Sequence, residues 1–462
     1  MTPLAAVAST LVCRGCATSM EPSEPYPFRC PRSGDGGDHV LRRVLGDNVR
    51  FPAAGGDDRV AGGGPAAGDA GDEQPFVTFR SLLHSYHLAI AGGMSDSDYV
   101  GLVHELDRAV ERVDGRGMRK TAFGPWPDLA AGGGFGRLLV KDETGNVAGS
   151  HKARHLFGLL VHLEVVERLG LTGTADRPPL AIASCGNAAL AAAVVAAAGK
   201  RRLCVFVPTD ADEAVVRRLQ ALGAEVTACP RHEGVAGEPA FQGMQAALAD
   251  GALPFTCQGN ENGLAIEGGE TLGYELVREL ALTGATLHHV VVQVGGGALA
   301  TAVAGAFAEA VTCGALDAVP HFHTVQTESA WPLKRAFDRV SDRLPSEPSR
   351  EQMTEALAYA AAHRAEFMWP WETMPHSIAH GILDDETYDW LAVVEAMLTT
   401  GGVPVVAGED ELAAANELAV TTTGIAVDPT GSAGLAGALL LRRRGVIGPE
   451  DSVAVLFTGV RR

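Results

Sequence analysis

Short, uninterrupted apolar runs alternate with longer runs of helical spacing along most of the chain. LAIAS (180–184) precedes an Ala-rich run that ends at Gly199, and RLCVFVP (202–208) precedes AVVRRLQALG (214–223). AEVTAC (224–229) leads on to HVVVQV (289–294), which is followed by ALATAVAGAFAEAV (298–311). A strand buried on both faces reads as a continuous apolar run, and such strands alternating with helices predict an α/β fold of parallel sheets covered on both sides. Earlier, GRLLV (136–140) reads as a strand end, and Thr144, Gly145 and Asn146 supply turn chemistry after it. HKARHLFGLLVHLEVVERLG (151–170) then carries Leu156, Leu159, Leu160 and Leu163 at helical spacing, with Ser150 as the expected N-cap. No repeat of fixed period interrupts this alternation.

The stretch Lys141–Arg154, KDETGNVAGSHKAR, changes the picture, because it places Lys152 in the first turn of a helix. Four backbone N–H groups are unsatisfied there, and the helix dipole disfavours an ammonium. The position suits a lysine that is neutral or bound to an anionic group. An imine to pyridoxal phosphate does both, and an ordinary surface lysine is the alternative reading of this segment taken alone.

Composition narrows the class. At 462 residues the chain exceeds one typical core, and 46% hydrophobic with 20% charged residues describes a globular protein with ample core. The formal charge of −19 argues against nucleic acid as a partner, while leaving room for a small anion in a local basic pocket. The most apolar run, Ala188–Gly199, is too short to span a bilayer. The opening MTPLAAVAST lacks a basic start and a long apolar stretch, so we expect no secretory signal and a cytoplasmic location.

Eight cysteines divide into two groups. Cys185, Cys204, Cys229, Cys257 and Cys313 are scattered and read as small buried hydrophobes of a reducing compartment. Cys13 and Cys16 form a CxxC knuckle, and Cys30 with His39 could complete a tetrahedral zinc set. A second CxxC is missing, because Ser33 stands where its cysteine would be, so a metal-free vestige is the expected state. The seven glycines between Gly55 and Gly71 cannot bury enough apolar area to offset their ordering entropy. They predict a linker over 53–75 that insulates a small piece, 1–52, from the body, 76–462.

Three further constellations fall at strand-to-helix junctions, where open α/β sheets bind ligands. In SCGNAAL (184–190), Gly186 permits a tight turn and Asn187 offers a donor and an acceptor at a helix start. In VGGGALA (294–300), three glycines let backbone N–H groups turn around a phosphate, and the same run also satisfies the dinucleotide pattern G-x-G-x-x-A. VAVLFTGV (453–460) is a buried strand ending in a hydroxyl, that of Thr458.

Taken together these segments resemble, in kind and in order, the fold-type II pyridoxal-phosphate enzymes (the tryptophan synthase β-like superfamily). The resemblance covers roughly Phe76 to Arg462 and looks closest to threonine synthase. KDETGNVAGSHKAR is similar to that enzyme's K-x-E-x-x-N-P-T-G-S-F-K-D-R pattern. SIAHGI (377–382) and GIAVDPTGSAGLAGAL (424–439) look like its S-x-A-x-G-I and G-I-x-x-E-P-x-S-A-x-x-L-A-G segments, and an N-terminal cysteine motif is its usual companion. There are departures. His151 replaces the usual Phe, Val147-Ala148 replace Pro-Thr, Ala153 replaces Asp, and Ala298 stands where many relatives carry a fourth glycine.

The resemblance implies two open, mostly parallel αβα domains with the cofactor in their cleft, the smaller within about 150–275, plus the cysteine knuckle. It implies that Lys152 holds the cofactor and moves protons, and that Asn187 bonds the cofactor's 3-hydroxyl. Gly295, Gly296, Gly297 and Ala298 would hold the phosphate, with His151 as a further contact, while Thr458 would face the pyridine nitrogen. Ser184, Cys185 and Ala188 would line the substrate carboxylate. The implied protein is a homodimeric lyase of amino-acid metabolism acting on a hydroxy- or O-activated amino acid, with O-phosphohomoserine to threonine first. Serine/threonine dehydratase and cysteine synthase-like β-replacement are alternatives. Outside that class stand a nicotinamide-dependent dehydrogenase, whose ribose acid would be Glu328, and a non-catalytic scaffold. Glu328 lies later than the expected spacing of about 20 residues, and a dehydrogenase leaves Lys152 and Asn187 unexplained.

Overall fold

The computed structural model describes residues 6–52, 73–173, 177–231 and 238–462. Twelve strands are found among them. β1 (Ser9–Cys13) and β2 (Leu41–Leu45) form an antiparallel pair. A six-stranded sheet contains β3 (Phe123–Pro125), β4 (Arg137–Asp142), β9 (His289–Gln293), β10 (His321–Thr327), β11 (Pro404–Ala407) and β12 (Ser452–Phe457). Its order is β11-β10-β9-β12-β4-β3, parallel throughout except for β3. The other sheet is wholly parallel, in the order β7-β6-β5-β8, from β5 (Leu180–Ala183), β6 (Leu203–Pro208), β7 (Glu225–Cys229) and β8 (Leu253–Pro254).

β9 and β12 are buried at every residue, which is what their continuous apolar runs predict for strands covered on both faces. The helix Lys152–Arg168 crosses the helix Leu264–Thr283 with backbones in close approach. A Cβ on Gly158 would stand 2.9 Å from the Cα of Gly268, and one on Gly268 would stand 2.3 Å from the carbonyl oxygen of Arg154. Glycine is therefore required at that crossing. No helix among the described residues is long and apolar enough to cross a membrane.

Most of the expected linker, residues 53–72, lies outside the described residues. The expectation that it insulates the N-terminal piece is corrected by packing. Arg43 of β2 is nearly fully buried and ion-pairs with Glu267 (3.0 Å), Glu270 (2.7 Å) and Glu309 (2.6 Å) on two helices of the body. Trp390 donates through Nε1 to Asp38 (2.9 Å), His162 donates to the carbonyl of Pro25 (3.0 Å), and Gly263 N–H donates to that of Phe28 (2.9 Å). Burial pushes the Glu270 carboxyl up to about 7, even with Arg43 opposing. Removing Arg43 would leave three carboxylates facing one another without a cation. Breaking a buried pair by removing one partner costs about 3–5 kcal/mol. Arg43→Ala is therefore expected to destabilise the protein by about that much, read as a lower urea midpoint, and an unchanged midpoint would show that the N-terminal piece is energetically independent of the body.

The scattered cysteines are corrected as well. Only Cys257 of that group is buried, whereas Cys204, Cys229 and Cys313 are half-buried and Cys185 is exposed. Exposure of Cys185 follows from its place on the loop between β5 and the next helix.

Candidate active site

The register of the large sheet decides which segments meet. β12 lies between β4 and β9, so the lysine segment after β4, Thr458 after β12 and the glycine loop after β9 leave the same edge of adjacent parallel strands. That edge, at the carboxyl ends of the strands, is where open α/β sheets form crevices.

Lys152 opens its helix, as the apolar spacing predicts. The cap differs from the expectation. His151, not Ser150, occupies the N-cap position and its side chain makes no capping bond. Ser150 is extended and bridges to Gly459, so its backbone serves the sheet edge instead of the helix. The N–H of His151 donates to the Thr458 carbonyl (3.2 Å), and His151 Nδ1 also lies 3.2 Å from that oxygen. Since a carbonyl only accepts, Nδ1 carries the proton and Nε2 a lone pair. Burial, reinforced by the charge of Lys152, holds His151 well below the ordinary imidazole range, so the ring is neutral. Ser150 Oγ and His151 Nε2 are both buried without a hydrogen-bond partner.

Asn187 is the first residue of the helix Asn187–Ala198. Its Oδ1 accepts from Arg462, and its Nδ2 would be 2.9 Å from a Cβ placed on Gly459. The smaller sheet thereby delivers Asn187 to the end of β12. Ser184 turns its hydroxyl back onto the N–H of Gly186 (3.4 Å), while Cys185 is exposed and Ala188 is half-buried at the same helix start.

Gly295, Gly296 and Gly297 link β9 to the helix Ala298–Thr312, and Gly297 adopts a left-handed φ of 100°. Ala298 is the first residue of that helix and is buried. The loop is covered by Ile382–Asp389, a segment the sequence reading did not mark as part of the site. A Cβ on Gly295 would meet Asp384 Oδ2 at 2.2 Å, and one on Gly296 would meet the Tyr388 ring at 2.9 Å. Thr387 donates to the Gly295 carbonyl (3.0 Å) and the Asp389 N–H to that of Gly296 (3.0 Å). Burial raises the Asp384 carboxyl above its ordinary range against the pull of Lys152, and raises Asp389 to about 8. Both acids are thus biased toward the neutral form beside a loop that would receive an anion.

A second missed feature lies beneath the lysine helix. Arg154 is fully buried and forks between Glu143 (2.9 Å) and Glu275 (2.7 Å), and Lys141 pairs with Glu275 from the other side. Burial alone would raise the Glu143 carboxyl, but Arg154 and Lys141 hold it below the usual carboxylate range. The charged letters around Lys152 in KDETGNVAGSHKAR look like surface residues in sequence, yet Lys141, Glu143 and Arg154 are all sealed from water.

Comparison with known proteins decides the family. Residues 116–459 match the model of the pyridoxal-phosphate dependent enzymes. The chain belongs to that family. It is 24% identical over 387 residues to a threonine synthase of Methanocaldococcus jannaschii, covering 78% of this chain and 85% of that protein. In structure it is similar to diaminopropionate ammonia lyase of Escherichia coli (TM-score 0.57, 17% identity, 78% of this chain and 88% of that one). It is also similar to threonine deaminase isoform 2 of Solanum lycopersicum (TM-score 0.56, 16% identity, 80% and 86%). These neighbours establish the fold-type II architecture, and family membership displaces the dehydrogenase reading of the glycine loop. The orphaned polar atoms of Ser150 and His151, the turned-in glycine loop and the helix start at Ala298 fit the family's anionic, polar cofactor.

At the N-terminus the ligand atoms of Cys13, Cys16, Cys30 and His39 all lie within 4.8 Å of one another. The turns between Cys30 and His39 bring the imidazole back to the cysteines. His39 Nε2 pairs with Asp35 (2.7 Å), which leaves Nδ1 facing Cys13 Sγ (3.5 Å).

Proposed function

We propose that this chain is a pyridoxal-phosphate-dependent lyase of threonine synthase type, acting on an amino acid activated at oxygen. The observation that carries the reading is the meeting of Lys152, Asn187, the glycine loop and Thr458 at one sheet edge. The threonine synthase relative supports the substrate class. When bound, the cofactor supplies an aldehyde and an electron-withdrawing ring.

The chain's own groups do the rest. Lys152 Nζ attaches the cofactor and then carries a proton to and from the substrate carbon. The N–H groups of Gly295–Gly297 and the start of the helix at Ala298 hold the phosphate. Asn187, whose Oδ1 is tied to Arg462, would offer its Nδ2 donor to the cofactor's 3-hydroxyl. Thr458 meets the ring nitrogen with a hydroxyl. Ser184, Cys185 and Ala188 surround the substrate carboxylate at the N-terminus of the second helix.

One observation favours a second reading, a serine/threonine dehydratase. Ala148 sits at a left-handed φ of 53° and offers no hydroxyl where the threonine synthase pattern has Thr. Assays with O-phosphohomoserine, threonine, serine and O-acetylserine separate the two. Threonine and inorganic phosphate from the first substrate are expected, whereas a 2-oxo acid from threonine or serine alone would favour the dehydratase.

Under the same proposal Cys13, Cys16, Cys30 and His39 hold a structural zinc, and Asp35 orients the imidazole from the far side. Full-length protein is expected to contain stoichiometric zinc by elemental analysis, and Cys16→Ser to lose it. Metal-free protein after growth in zinc-replete medium would favour the vestige that the missing second CxxC suggests.

A further inference from the structure

Gln293 is the last residue of β9, beside the end of β12, and is 4% exposed. Its Nε2 lies 2.8 Å from the Gly431 carbonyl, 3.2 Å from the Leu456 carbonyl and 2.8 Å from Thr458 Oγ1. The amide orientation follows from these neighbours. Turned over, Oε1 would face two carbonyl oxygens, so the nitrogen must point toward them. Its two N–H groups are shared among the Gly431 and Leu456 carbonyls and the Thr458 hydroxyl oxygen, and since an amide nitrogen offers no lone pair, the 2.8 Å contact to Thr458 has the nitrogen as donor.

That oxygen is therefore an acceptor, and its own hydrogen must go to a different atom. Among the described residues no protein acceptor takes it. The Thr458 carbonyl and N–H are committed to His151 and Gly431, so the residue cannot swing away. Gln293 lies inside the apolar run HVVVQV, yet it carries a buried amide whose donor direction is fixed by its neighbours.

We propose that Gln293 is a positioning residue that fixes the Thr458 hydroxyl as a donor to the cofactor's ring nitrogen, and so keeps that nitrogen unprotonated. The proposal rests on the reading above that Thr458 meets the ring nitrogen. A hydroxyl that must donate occupies the nitrogen lone pair and leaves no acceptor for a pyridinium proton. The consequence is a weaker electron sink, suited to elimination and replacement at the side chain. The Gln293 Oε1 has no partner and faces Gly434, where a Cβ would stand 2.9 Å away, so glycine there leaves room for this rotamer.

The test uses the full chain loaded with pyridoxal phosphate carrying 15N at the ring nitrogen, with the 15N chemical shift as readout. The wild type is expected at the unprotonated pyridine position across the neutral range. In Gln293→Leu and Gln293→Met the amide donor is gone, so the Thr458 oxygen is no longer held as an acceptor and its hydrogen is no longer directed to the ring nitrogen. The resonance is then expected to move toward the pyridinium position. Thr458→Val removes the donor outright and is expected to move it the other way, toward a nitrogen free of hydrogen bonds. A wild-type pyridinium overturns the proposal even if no variant loads cofactor. So does an unmoved resonance in the loaded Gln293 variants when Thr458→Val shifts it. A resonance that Thr458→Val leaves in place overturns the reading that Thr458 meets the nitrogen, and the proposal with it.

Discussion

Lys152→Ala is expected to abolish covalent attachment of pyridoxal phosphate and to lower turnover by roughly 10²–10⁴-fold, the contribution typical of a positioned acid/base group. Borohydride treatment of the wild type should fix the cofactor on Lys152 alone, as peptide mapping would show. The same sequence motif contains a competitor, Lys141, and the structure explains why it cannot serve. Lys141 is fully buried, pairs with Glu275 and donates to the Thr121 carbonyl (2.9 Å). Lys152 is only half-buried at the start of its helix, and its charge is felt at Cys257, Asp384 and Asp389 around the crevice. Label on any other lysine, or undiminished turnover in the variant, would remove Lys152 from the site.

The second large effect is predicted for Arg154→Ala, which leaves Glu143 and Glu275 with Lys141 as their only cation among the described residues. An uncompensated buried charge costs about 3–5 kcal/mol, to be read as the difference in unfolding free energy at neutral pH. The pH dependence has a definite sign. In the wild type the Glu143 carboxyl is held below its unfolded value, so its contribution is complete above that value and is lost as pH falls through the lowered one. In the variant, burial without Arg154 raises the same carboxyl above its unfolded value of about 4.3. The folded variant then binds the proton more readily than the unfolded chain, so it gains relative stability on acidification. The deficit should be largest at neutral pH and shrink on acidification. A deficit under about 1 kcal/mol at neutral pH would mean that water or rearrangement relieves the charge. The network also bears on function, because it ties the end of β4 to the first turn that presents Lys152.

Much of the fold was legible in advance because burial on both faces writes itself as a continuous apolar run. β5, β6, β9 and β12 carry such runs, and each lies where the spacing predicts. β8 and β3 were not marked, since two or three residues of strand hold no pattern against their neighbours. Lys152, Asn187, the glycine loop and Thr458 could be marked as candidates for a related reason. Lys152, Asn187 and the glycine loop stand at strand-to-helix junctions and Thr458 at a strand end, and helix starts, tight turns and close backbone approaches demand particular residue types locally.

What one segment does to another was not legible. Ser150 has the chemistry of an N-cap, yet pairing with Gly459 from the far end of the chain draws it into an extended conformation. Arg43 and Arg154 have the letters of surface cations, yet each is buried because carboxylates distant in sequence arrive around it. Gln293 becomes a directed donor only because β12 pairs beside β9 and brings Thr458 within 2.8 Å. Local composition and periodicity determined which elements form and where the candidate chemistry sits. Strand order and register alone decided which polar atoms meet away from water, since those partners are set by contacts that no window of sequence contains.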